Sequence, residues 1–188
     1  MQKIHPTLAP GDVLVADRGL CSYEHLALLV QAALHTVLRV GARQMVDVTP
    51  GRPFVRPSTR RTPAIKGLPR SRWRTALGPP DQLVEWLKPK TCPRWLDPAT
   101  FAAVPAALVV REVRYQVRTP GFRTHQVTLV TTPLDAARYK TKDLAVLYGI
   151  RWEVETHLGQ LKTTMHMDVL HGKTVAGVLK ELTVFAII

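Results

Sequence analysis

Residues Thr141 to Met165 read TKDLAVLYGIRWEVETHLGQLKTTM, a stretch without proline in which Leu147, Val154, Leu158, Leu161 and Met165 recur at helical spacing. That pattern predicts one long amphipathic helix, with Gly149 and Gly159 as its weak points. On a wheel of 100° per residue with Tyr148 at zero, Arg151 falls at about 300°, Glu155 at about 340° and Lys162 at about 320°. A phenol, a carboxylate and two cations therefore share one stripe beside the apolar arc. Such a stripe is a poor core. It suits a phosphodiester, because Glu155 offers hard oxygen donors to a divalent cation while Arg151 and Lys162 grip neighbouring phosphates. The same letters also read as a surface ion pair, Arg151 and Glu155 at i and i+4, worth about 0.3 kcal/mol.

Upstream, residues 11–29 read GDVLVADRGLCSYEHLALL. Asp12 to Ala16 is a short β-branched run that ends at Asp17-Arg18-Gly19, the pattern of a buried strand entering a turn. Asp17 then sits at the carboxyl end of the strand, either as a turn-forming residue or as a catalytic one. Ser22 is placed to cap a helix running to about Ala33, with Leu26, Leu29, Val30 and Ala33 on its apolar face. Strand character returns over His35 to Val40.

Val48 to Pro80 holds eight basic residues, Arg52, Arg56, Arg60, Arg61, Lys66, Arg70, Arg72 and Arg74, with seven prolines and no acid. It predicts a stretch with no core of its own, a solvated loop or equally an arm that grips phosphates. Beyond it, Leu83 to Leu87, Ala107 to Val117 and His125 to Thr131 read as strands joined by Pro and Gly turns. A last helix is predicted from near Thr174, and it stops on Phe-Ala-Ile-Ile as if interrupted.

The 188 residues are 46% hydrophobic, enough for one sizeable core with an elaboration. Lysine and arginine number 26 against 14 acids, and a net charge of +12 points to a polyanionic partner, nucleic acid above all. No run of 18 apolar residues and no secretory leader stands out, so a cytoplasmic protein is expected. Cys21 and Cys92 form no C-x-x-C pair, and His157, His166 and His171 lack the i, i+3 or i+4 spacing of helical zinc ligands.

The spacing Y-x-x-R-x-x-x-E-x-x-x-x-x-x-K, carried by Tyr148, Arg151, Glu155 and Lys162, resembles the signature helix of the YREK group of bacterial insertion-sequence DDE transposases. LYGIRWEVETHLGQLKTTMHMDVLHGKT is similar to that helix and its following loop. GDVLVADRGLCSYEHLALL is similar to the block around the group's second aspartate. The resemblance runs from near Lys3 to the last residue and is weakest in the arginine-rich middle.

It implies an α/β fold with a ribonuclease-H-like catalytic core, a mixed sheet with helices on both sides. Residues 1–46 and 125–188 would form the two parts of that core, and 47–124 a basic, β-rich insertion. Asp17 maps to the second aspartate and Glu155 to the glutamate, both catalytic and both ligands in a site for two Mg²⁺ or Mn²⁺ ions. Tyr148, Arg151 and Lys162 would contact double-stranded DNA at the transposon ends, and the intact enzyme would act as a possible homodimer, away from membranes. Trp73, Trp86 and Trp95 are candidates for holding a displaced base, or are core residues.

The group's first aspartate lies on an earlier strand, upstream of the Asp17 block, and Asp12, on the same strand as Asp17, is no substitute. A carboxyl-terminal fragment, inactive alone, is therefore expected. The alternatives are a non-catalytic DNA-binding remnant of a transposase and a ribonuclease-H-like nuclease.

Overall fold

The computed structural model describes residues 7–41, 46–54, 71–117, 125–164 and 173–180; at positions 125, 154, 155, 158, 161, 162 and 164 it describes the backbone only. Two compact units divide the chain, Met1–Tyr148 and Gly149–Ile188.

The first unit is built on a six-stranded sheet of order β1-β2-β6-β5-β4-β3. Its strands are β1 (Val13–Ala16), β2 (His35–Arg39), β3 (Ser71–Gly78), β4 (Asp81–Leu87), β5 (Ala107–Val117) and β6 (His125–Thr131). Helix α1 (Tyr23–Gln31) links β1 to β2, which pair in parallel from Val13↔His35 to Ala16↔Leu38. Every other neighbour is antiparallel, so the sheet is mixed, as expected. Residues 71–117 hydrogen-bond into this same sheet through β5 and β6.

Helix α1 starts where the cap signal stands: the Ser22 hydroxyl accepts from the His25 backbone N–H at 3.3 Å. A short helix, α2 (Pro98–Ala103), escaped the sequence reading, although Asp97 and Pro98 are a cap and first-turn pair; Asp97 accepts from the Thr100 N–H at 2.8 Å.

Adjacent residues of β2 show how both faces of the sheet are covered. Leu38 packs with Ala16, Leu26, Ala27, Val110 and Val130, the α1 side. Its neighbour Val37 points the other way and packs with Val113, Val127, Leu129, Leu144 and Tyr148. Leu144 and Tyr148 belong to the first two turns of α3 (Thr141–Thr164), the long helix predicted from the sequence.

The basic stretch is corrected in part. Residues 55–70 lie outside the described residues, but Arg72 and Arg74 stand on β3 and both pair with Glu85 of β4. Arg52 is buried and donates to the backbone oxygens of Asp47 (2.8 Å) and Ser71 (2.7 Å) and to the Ser71 hydroxyl (2.7 Å). It is structural, because a buried guanidinium survives only with its donors satisfied.

In the second unit, residues 175–180 are helical, and Thr174 caps them through a 3.1 Å bond from the Gly177 N–H. Among the described residues no helix is long and apolar enough to cross a membrane.

Candidate active site

Asp17 closes β1 and opens the 3-10 turn Arg18–Leu20. Its backbone is extended, yet its side chain makes no capping bond to that turn. The carboxylate is directed elsewhere: its Oδ1 accepts a hydrogen bond of 3.0 Å from the Tyr148 hydroxyl. Tyr148 is 2% exposed, so the hydroxyl that reaches the strand end is carried by a buried ring.

The start of α3 is anchored by a buried charge pair. Arg111 of β5 is fully buried and donates through Nε to Asp81 Oδ1 at 2.8 Å and through Nη2 to Asp81 Oδ2. Its Nη1 reaches the Tyr139 carbonyl, and the Thr141 hydroxyl donates to Asp81 at 3.2 Å. One buried pair thus ties the residues before α3 and its first residue to the sheet, and Leu144 and Tyr148 follow into the apolar layer.

Around Tyr148 the surroundings are aromatic and basic. The Tyr115 phenol is pushed above its ordinary range by burial and then by the neighbouring Tyr148, against a smaller opposing pull from Arg39. A separate cavity of about 240 Å³ is lined by Arg18, Arg39, Arg114, Gln126 and Thr128, with Val40, Gly41 and Val46.

In the second unit, the Arg151 guanidinium lies 5.2 Å from the centroid of the Trp152 ring, a cation–π distance. Glu155 and Lys162 stand on α3 with side chains outside the described set. The structure therefore brings together Asp17 and Tyr148 of the predicted residues, and places Arg151, Glu155 and Lys162 on the same helix as Tyr148.

The tryptophans separate clearly. Trp86 is a core residue whose Nε1 donates to the buried Glu112 at 2.9 Å. Trp73 is half-buried on β3, and its Nε1 is buried without a hydrogen-bond partner among the described residues. Trp95 is 42% exposed and stacks flat on His25, centroids 4.3 Å apart.

Among the described residues no group of three or more His, Cys, Asp and Glu side chains gathers as a metal site, and His166 and His171 lie outside them. Sequence reasoning missed the arginine-lined cavity and the Asp81–Arg111 anchor, since their members come from separate strands. Only the arginines interrupting the apolar run 107–117 signalled that β5 carries buried charge.

No curated protein and no solved structure matches the chain. The family described as the transposase DDE domain matches residues 1–188, the whole sequence. The chain belongs to the transposase DDE domain family.

Proposed function

We propose that the chain is part of a YREK-group, metal-dependent DNA transposase, acting in the cytoplasm on the nucleoid. Asp17 and Glu155 are two of its three metal-binding carboxylates, and Tyr148, Arg151 and Lys162 form the helix stripe that meets double-stranded DNA at the transposon ends. One observation carries this: the first residue of the helix signature, Tyr148, is hydrogen-bonded to the strand-end aspartate at 3.0 Å, across 131 positions of sequence. A turn-forming aspartate would spend its carboxylate on the turn, and Asp17 does not.

The donors fit Mg²⁺ or Mn²⁺. Asp17 presents a hard carboxylate at a strand end, with Tyr148 fixing its orientation, as outer partners of metal ligands do. When bound, two such ions activate the attacking oxygen and stabilise the leaving one. The protein's own part is placement: Tyr148 aims Asp17, while Arg151 and Lys162 hold backbone phosphates in register.

The third carboxylate, the first aspartate of the family pattern, is assigned to no residue of these 188. The outer edge of β1 has no partner among the described residues, which supports a further strand adding there and carrying it. The 188 residues alone are therefore expected to bind DNA without cutting it.

Supercoiled plasmid with Mg²⁺ or Mn²⁺ provides the test. The expected result is a retarded but uncut plasmid. Strong nicking that Glu155→Gln abolishes would show that two carboxylates suffice. A second reading, a non-catalytic DNA-binding remnant, rests on the same net charge of +12 and is favoured if no divalent ion binds at all.

A further inference from the structure

The arginine-lined cavity is formed entirely by the first unit. Arg18 directly follows Asp17, Arg39 is the last residue of β2, and Arg114 faces Thr128 across β5 and β6. Arg114 is fixed by its neighbours: Nε donates to the Thr128 hydroxyl at 3.3 Å and Nη2 to the Val46 carbonyl at 2.5 Å. Its Nη1 has no hydrogen-bond partner among the described residues. Arg18 and Arg39 form no ion pair among the described residues, where the salt bridges are those of Arg72, Arg74 and Arg111. Two acids act on Arg114 through their charge: Asp47, which accepts from the Thr49 N–H at 2.9 Å, and the buried Glu112, which accepts from Gln82 at 2.8 Å and from Trp86 at 2.9 Å.

Three arginines line one cavity, and their positive charge favours an anion there. Guanidinium forks match phosphate oxygens in pairs, and Gln126 and Thr128 add neutral polar groups to the same wall. We propose that this cavity seats a backbone phosphate of the DNA strand, through Arg18, Arg39 and Arg114. This phosphate seat is separate from the contacts expected of Arg151 and Lys162. It rests on the reading of the chain as a DNA-binding enzyme, and not on metal binding by Asp17.

The test is anisotropy of a labelled DNA duplex with the full chain, without metal, at salt from roughly 50 to 200 mM. Arg18→Gln and Arg39→Gln are each expected to lower the slope of log affinity against log salt by about one, and the double variant by about two. Affinity in the double variant falls at least about tenfold at the lower salt, while the thermal midpoint stays put. Arg18→Lys restores most of the loss, because the charge is retained. Wild-type binding with an unchanged slope in the double variant overturns the phosphate seat alone. If the wild-type chain fails to bind DNA, the functional reading falls with it. Stabilisation by inorganic phosphate that is lost in the double variant, with DNA binding unaltered, marks a small-anion site and also overturns the proposal.

Discussion

The hydroxyl of Tyr148, on the long helix, donates to the carboxylate of Asp17 at 3.0 Å, at the end of a strand 131 positions earlier. Replacing Tyr148 by Phe keeps the buried ring and removes that bond. A hydrogen bond to a charged acceptor contributes about 1.5 to 3 kcal/mol. Urea unfolding of Tyr148→Phe is expected to show a loss near the lower end of that range. Affinity for Mn²⁺ should also fall about tenfold, because the ligand loses the group that orients it. An unchanged affinity would leave the bond a packing detail.

Arg111 and Asp81 set where the helix begins. Arg111→Met leaves the Asp81 carboxylate buried without its cation, at a cost of about 3 to 5 kcal/mol. The measurement is the urea midpoint, and a change below about 1 kcal/mol would show that Asp81 is rescued by solvent.

Arg52 belongs by composition to the basic stretch but by structure to the core. Arg52→Ala removes three hydrogen bonds, two of them to Ser71, and is expected to destabilise the fold by about 2 to 3 kcal/mol. The salt slope of DNA binding should not change. A lower slope at unchanged stability would return Arg52 to the phosphate-gripping role.

Alkaline pH is expected to weaken the fold. Burial pushes the Cys21 thiol from 9.0 up to about 12, with a bond from the Gly41 backbone opposing and the charge of Glu112 adding. The Tyr23 phenol rises from 10.0 to about 12 through burial and then the charges of Glu24 and Glu85, and its hydroxyl donates to the Pro105 carbonyl at 2.6 Å. Between the lower and upper values the unfolded chain has released protons that the folded chain keeps, so stability falls as pH rises. Urea midpoints should decline from pH 9 towards 12, and Cys21→Ala should remove the earlier part of the decline. A flat profile would contradict the burial of both groups.

Local signals made much of the fold legible. The β-branched runs gave β1, β2, β5 and β6; Ser22 gave the start of α1; the absence of proline gave α3. Arg72 and Arg74 were misjudged because their partner, Glu85, lies on the next strand, and no local pattern records a cross-strand pair. The Asp17 and Tyr148 letters were visible, but not that the tyrosine would be buried and bonded to the aspartate. Long-range register carries that information, through the Arg111–Asp81 anchor and the apolar layer beneath α3.

Binding of Mn²⁺ to the full chain, followed by electron paramagnetic resonance, tests most directly whether Asp17 and Glu155 serve one metal centre. Asp17→Asn and Glu155→Gln should each weaken binding at least about tenfold, and the double variant should be little worse than the poorer single one, as expected for groups acting on one ion. Binding that survives both substitutions, or losses that simply add, would contradict a shared metal centre.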